Sequence, residues 1–255
     1  MVRAATKRFP NGTQALAPVD LDVRDGEFVT LLGPSGCGKT TLLNLIAGLT
    51  DPTSGAIEWW GGPFAATGGA GRKIGFVFQT PTLMPWARVD ANVRLPLDLA
   101  RADRAAAERA VTHALDLVGL ADFARHFPRE LSGGMQMRAS IARALVNSPD
   151  LLLLDEPFGA LDEFTRERLD DELLRLWTQE RLTVVFVTHS IAEAVFPSTR
   201  VAVMAARPGR VLDAITIDEP FPRDGTFRVS TKFASYAQQL SRLVAEAGIE
   251  AQTPR

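Results

Sequence analysis

Four short apolar runs punctuate the chain: Phe28 to Leu32, Ile74 to Phe78, Leu151 to Leu154 and Thr183 to Val187. They show almost no polar alternation, the pattern of strands buried on both faces of a parallel sheet. Between them the period changes. Thr41 to Ala47, Ala102 to Val118, Met135 to Val146, Glu163 to Gln179 and Ser190 to Phe196 read as helices. The second of these carries Ala107, Val111, Leu115 and Val118 as a stripe along one face. Gly48 and Gly119 stand where two helices should stop, with Pro52 and Asn147-Ser148-Pro149 as further stop signals. Asp90 is the expected N-cap of another helix, with Pro96 near its first turns. Val89 to Asn147 therefore forms a helical block inserted between strand-rich halves. Strand–helix alternation on either side predicts an α/β fold with a mainly parallel sheet.

The connecting stretches are plainer. Val19 to Val23 alternates apolar and acidic residues as a half-buried strand does, and Asp25-Gly26-Glu27 is a turn. Thr53-Ser54-Gly55 reads as a further turn before a short strand at Ala56 to Trp60, and Gly61 to Gly71 as a glycine-rich loop. Val201 to Met204 and Arg210 to Ile217 are strands around the turn Arg207-Pro208-Gly209-Arg210. Phe233, Tyr236, Leu240, Leu243 and Ala247 recur at helical spacing, as in a helix that packs on the domain.

Composition narrows the function classes. With 255 residues, 46% of them hydrophobic, the chain can bury one large core or a domain with an insertion. A net charge of -2 argues against a chain built to grip nucleic acid. The single cysteine excludes an intrachain disulfide and fits a reducing compartment. Met1-Val2-Arg3-Ala4-Ala5 has no apolar signal core, and no apolar run approaches the ~20 residues that span a bilayer. The expectation is a soluble, cytoplasmic protein that meets a membrane only through a partner.

Gly33-Pro34-Ser35-Gly36-Cys37-Gly38-Lys39-Thr40-Thr41 fits G-x-x-x-x-G-K-[ST], between the run ending at Leu32 and a helix. Glycines let the backbone curl and turn its N–H groups toward an anion, and the helix adds its positive end. Lys39 would reach the β- and γ-phosphates of a nucleotide, and the Thr40 hydroxyl would ligate Mg²⁺. Leu151 to Glu156 supplies a second part of such a site. A buried strand ending in Asp155 delivers a carboxylate to the ion, and Glu156 can orient or deprotonate the attacking water. Ser132-Gly133-Gly134 comes just before a predicted helix, which makes it a second anion-binding helix start.

Together, Gly33–Thr41, Gln79, Leu131-Ser132-Gly133-Gly134-Met135-Gln136, Leu151–Glu156, Ala160-Leu161-Asp162 and His189 resemble the nucleotide-binding subunit of an ATP-binding cassette (ABC) transporter. The L-S-G-G-x-Q signature is far more specific than the phosphate loop, which many NTPases share. The resemblance implies a P-loop NTPase core with a mainly parallel sheet, an antiparallel β portion near the N-terminus and an inserted α-helical subdomain. The expected domain covers 1–220 (core 1–88 and 148–220, helical signature subdomain 89–147), followed by a helical extension at 221–255. It further implies ATP and Mg²⁺. Phe9 would stack on adenine, although a core aromatic at a strand end is the alternative. Gln79 would touch the ion and the attacking water. His189 would hydrogen-bond the γ-phosphate, and Asp162 would communicate across a dimer, also serving as an N-cap. Cys37 is expected to be a small loop residue without catalytic role, and His113 and His126 to be surface or core residues.

Gln79 to Trp86, Phe158 to Arg166, Thr188 to Ala194 and Ala205 to Arg210 further resemble the importer branch for nitrate, sulfonates and taurine. That branch implies a permease, contacted through Met84-Pro85-Trp86, and a separate substrate-binding protein. It also implies residence on the cytoplasmic face of the inner membrane. Phe196-Pro197-Ser198-Thr199-Arg200 departs from the branch, which usually has an apolar and an acidic residue before the arginine. Two chains would sandwich two ATP molecules, each site completed by Ser132–Gly134 and Gln136 of the other chain. The rival readings are a soluble ABC ATPase acting on nucleic acid or ribosomes, and a small-molecule kinase. The first usually brings two cassettes or a coiled-coil insertion, and the second has no use for Leu131–Gln136.

Overall fold

A computed structural model describes residues 1–63 and 72–252, so most of the expected loop from Gly61 to Gly71 lies outside the described residues. In chain order the elements are β1 (Val2–Arg8), β2 (Gln14–Leu21), β3 (Phe28–Leu32), α1 (Lys39–Ile46), β4 (Ser54–Trp59), β5 (Gly62–Pro63), β6 (Ile74–Val77), α2 (Val89–Leu99), α3 (Arg104–Leu117) and α4 (Gly133–Leu145). Then come β7 (Leu151–Asp155), α5 (Glu163–Glu180), β8 (Thr183–Thr188), α6 (Ile191–Val195), β9 (Arg200–Ala205), β10 (Arg210–Thr216), α7 (Gly225–Arg228) and α8 (Thr231–Gln252). They sort into two units, Met1–Arg72 with Thr183–Arg255, and Lys73–Leu182. Among the described residues no helix is long and apolar enough to cross a membrane.

In the first unit β3 lies between β8 and β9, parallel to both, and β10 closes the edge antiparallel to β9. Every residue of β3 and β8 is buried, which is why both read as unbroken apolar runs rather than alternating ones. Two of the polar residues in this core satisfy each other: the Thr30 and Ser198 hydroxyls lie 2.6 Å apart, both fully buried. Ser198 belongs to the segment that departs from the importer pattern, and its packing is thereby accounted for. A separate antiparallel sheet runs in the order β2-β1-β4-β5. There the structure corrects the expected turn at Thr53-Ser54-Gly55. Ser54 and Gly55 already belong to β4, and Gly55 adopts φ +80 where a Cβ would stand 2.3 Å from the Ala4 carbonyl oxygen. The glycine marks a close strand approach, not a chain reversal.

The C-terminal segment is tied to this unit by Arg223. Its guanidinium donates to the carbonyls of Val195, Phe196, Ser198, Ile217 and Glu219, and lies over the Phe221 ring. Burial lowers its pKa to about 10. Beyond it α8 buries Leu240 and Ala247, two of its expected apolar positions, and packs on β9 and α6.

In the second unit β6 and β7 pair in parallel, and α2, α3 and α4 pack on one another. The stripe Ala107, Val111, Leu115 and Val118 is buried as its spacing predicts. Asp90 is not the N-cap of α2: Arg88 holds that position, and the Asp90 carboxylate accepts from the adjacent Ala91 amide. No side-chain cap is needed there, because the Val89 and Asp90 amides donate to the His126 and Ala124 carbonyls. Pro96 lies well inside α2 rather than near its first turns.

Candidate functional site

In the first unit the chain leaves β3 at Leu32 and enters the phosphate loop. Gly33 is there for space: a Cβ would lie 2.4 Å from the Met204 carbonyl oxygen and 2.9 Å from Cys37 Sγ. Gly36 and Gly38 are there for conformation, with φ +77 and +97. Gly38 is the N-cap of α1, whose first turn has neither a side-chain cap nor an acidic residue. The positive end of α1 is thus not offset by a carboxylate of its own first turn. Lys39 is buried, and its ammonium donates to the Gly33 and Pro34 carbonyls at 2.8 and 3.1 Å. Pro34, Ser35 and Thr41 complete the loop, Ser35 and Thr40 are exposed, and Cys37 is buried in the wall.

The register fixes a second residue beside this loop. Leu32 pairs with Thr188, so Gly33 and His189 leave the carboxyl ends of neighbouring parallel strands. Ligands of open α/β sheets bind outside such strand ends. His189 is exposed there. Its segment is braced from below: Thr188 Oγ1 donates to the buried Glu193 carboxylate and accepts from the Ser190 amide. Phe9, just past β1, is 39% exposed, with the Lys7 ammonium 5.7 Å from its ring centre. The alternative of a core aromatic is therefore set aside.

The second unit repeats the device. Val77 pairs with Leu154, so Gln79 and the pair Asp155–Glu156 follow neighbouring strand ends. Asp155 is buried as the last residue of β7. Glu156 takes φ +43, a left-handed conformation that is costly for a residue with a Cβ and concentrates at functional sites. Gln79 is exposed.

Ser132 is the N-cap of α4, its hydroxyl accepting from the Met135 amide at 3.3 Å. This corrects the expected helix start at Met135, since Gly133 and Gly134 already form the first turn. Gly134 is needed for packing, because a Cβ would come within 2.9 Å of Thr165 at the start of α5. The Gln136 amide donates to the Pro128 and Leu131 carbonyls, so it holds the segment leading into the signature. Asp162 caps α5 through the Thr165 amide, and those hydrogen bonds hold its carboxyl below the usual range. His113 is exposed and faces Glu180, while His126 Nδ1 is buried.

Two contributors escaped the sequence. Gly209 read only as a turn, yet a Cβ there would lie 2.3 Å from the Cys37 carbonyl, so it presses on the phosphate loop. Arg143 holds the segment beyond Gln79, donating to the Pro81 and Thr82 carbonyls and the Thr82 hydroxyl. Its signal was a lone cation among the apolar residues of the last turns of α4.

Comparison with known proteins adds an independent line. A family model described as "ABC transporter" matches residues 16–159. The chain is 48% identical over 224 residues to the ATP-binding protein BAB2_1147 of Brucella abortus (strain 2308), covering 88% of this chain and 85% of that protein. It is 43% identical to the aliphatic sulfonates import ATP-binding protein SsuB of Bacillus licheniformis, covering 88% and 87%. It is 41% identical to the taurine import ATP-binding protein TauB of Jannaschia sp. (strain CCS1), covering 95% and 92%. Two solved structures of the cassette MJ0796, one a dimer and one a dimeric post-hydrolysis state bound to ADP and Pi, are each similar at TM-score 0.76. Both are 35% identical, with 86% of this chain and 99% of theirs covered.

Proposed function

Because the chain belongs to the ABC transporter family, we propose that it is the ATP-hydrolysing subunit of an importer for a small anion or organic solute of the nitrate, sulfonate and taurine type. The observation that carries the chemistry is that Gly33 and His189, and likewise Gln79 and Asp155–Glu156, follow the carboxyl ends of paired, parallel strands. Gly33–Thr41 and His189 act on the phosphates; Gln79, Asp155 and Glu156 act on the ion and the water. Phe9 offers an exposed ring face for adenine. The residues fit Mg²⁺: Thr40, Asp155 and Gln79 offer hard oxygen donors. Among the described residues no group of three or more His, Cys, Asp or Glu is arranged to hold a metal ion. When bound, the ion would neutralise charge on the β- and γ-phosphates.

Glu156 is the group placed to orient the attacking water and take its proton, and His189 and Gln79 fix that water by hydrogen bonds. A second copy supplies Ser132–Gly134 to the γ-phosphate, so ATP becomes part of the interface and stabilises the closed pair by mass action. Hydrolysis removes the bridge, and the reopening drives the permease. The dimeric cassette and its ADP-bound state among the similar structures support this cycle. On the second unit Phe76, Phe78, Leu95, Pro96 and Leu99 line a groove of about 340 Å³, and Trp86 is 76% exposed. An apolar surface of this kind suits a helix of the permease, which would hold the chain to the cytoplasmic face of the membrane. Relatives named for sulfonate and taurine import favour a small solute that carries a sulfonate group.

Glu156→Gln is the test. It should bind ATP, lose on the order of 10²-fold or more in turnover and accumulate as a dimer in light scattering. Wild-type turnover in that variant removes Glu156 from the catalytic role.

A further inference from the structure

Helix α4 has functional residues at both ends. Its first turn carries Ser132 and Gly133 toward the proposed partner nucleotide, and its last turns carry Arg143. Eleven helical steps separate Ser132 from Arg143, roughly 16 Å of rigid rod. At the far end the rod is fastened to the segment bearing Gln79 in two ways. Arg143 donates three hydrogen bonds, to Pro81 O at 3.0 Å, Thr82 O at 2.9 Å and Thr82 Oγ1 at 2.9 Å. Strand β6, which leads into Gln79, lies directly on the helix: a Cβ on Gly75 would stand 2.7 Å from the Ala144 carbonyl.

The fastening is built against a cost. Arg143 is half-buried, its hydrogen-bond partners are uncharged backbone and hydroxyl oxygens, and burial lowers its pKa. Thr82, which it grips twice, adopts φ +47, a left-handed conformation that persists only where the surroundings over-determine it. An apolar residue would fill the same space without desolvating a charge. A planar fork of donors, by contrast, can fix a carbonyl and a hydroxyl of one residue at once. Behind it the buried Asn92 side chain clamps Met84, Ala87 and Arg88, so the loop from Gln79 to Arg88 is pinned at both ends.

We propose that Arg143 is a positioning residue that locks the Gln79 loop to α4, so that ATP gripped at the Ser132 end of the helix is transmitted to Gln79 at the other. This rests on the two-chain reading given above. The element with two states is the loop, held or released, and the ligand that biases it is the ATP at Ser132.

Hydrogen exchange by mass spectrometry tests the link in the Glu156→Gln protein with and without ATP, following the peptides over 79–88 and 132–137. ATP should slow exchange in both. Adding Arg143→Met, which keeps the aliphatic stem, should leave the protection at 132–137 and abolish it at 79–88. In the otherwise wild-type protein Arg143→Met should lower kcat on the order of tenfold with KM for ATP little changed. Arg143→Lys, which restores the charge and a single-point donor, should recover part of both readouts. Protection of both peptides in Glu156→Gln/Arg143→Met overturns the proposal, and so does loss of both, which would mark Arg143 as merely structural. If neither peptide responds to ATP in Glu156→Gln alone, the two-chain reading fails instead.

Discussion

The phosphate loop contains two glycines that should fail for different reasons when replaced by alanine. In Gly33→Ala the new Cβ meets the Met204 carbonyl oxygen at 2.4 Å and Cys37 Sγ at 2.9 Å. A carbon–oxygen contact needs roughly 3.3 Å, so about 0.9 Å must be found. Met204 cannot supply it, because it is fully buried in β9 and paired with Val211 of β10. The loop must move instead, away from the strand that sets its height. Overpacking of this kind costs about 1–3 kcal/mol of stability. A displacement near 1 Å costs on the order of 10²-fold in rate, or about 2.7 kcal/mol of transition-state stabilisation. Gly36→Ala is the control. Nothing lies within 4 Å of its Cβ, and only φ +77 opposes it, so the expected cost is about 1–2 kcal/mol of backbone strain. Steady-state ATPase rates, binding of a fluorescent ATP analogue and thermal unfolding would be measured on both variants. Gly33→Ala should lose more in kcat/KM than Gly36→Ala. Near-wild-type turnover in Gly33→Ala, or a larger loss in Gly36→Ala, would refute the claim that contact with β9 sets the loop.

Two further outcomes follow from polar groups. Thr30→Val leaves the buried Ser198 hydroxyl without the partner now at 2.6 Å and should destabilise by about 1–3 kcal/mol. Adding Ser198→Ala should return part of that loss in denaturant unfolding, and strictly additive losses would count against the pairing. Asp162 has its folded-state pKa lowered by the Thr165 hydrogen bonds, so its contribution is present above the unfolded value of about 4 and is lost as pH falls through the folded one. The Tm difference between wild type and Asp162→Asn should therefore stay constant from pH 8 to 5 and shift in favour of the variant below about pH 4. A difference that ignores pH over that range would exclude a charged cap.

What the sequence revealed and what it hid divide along one physical line. Phe28–Leu32 matches β3 to the residue, and Leu151–Leu154 lies wholly within β7, because burial on both faces writes itself as an uninterrupted apolar run. The glycine-rich loop, Asp155–Glu156 and Ser132–Gly134 could be singled out because the chemistry proposed for them needs fixed residue types at fixed spacing. The misreadings came where a residue's partner lies far away in the chain. Gly55 serves Ala4 and Gly209 serves Cys37; a one-dimensional reading sees in each only a turn. Asp90 failed as a cap because the helix starts two residues before the position expected, so the Asn92 amide it would have served already donates to the Arg88 carbonyl. Arg143 is the sharpest case. Its three acceptors lie some sixty residues upstream, and nothing near it in sequence announces them. Residues proposed to carry out the reaction are thus local signals, whereas those that hold them in place are long-range ones. The holding residues are therefore where substitutions should separate ATP binding from ATP turnover.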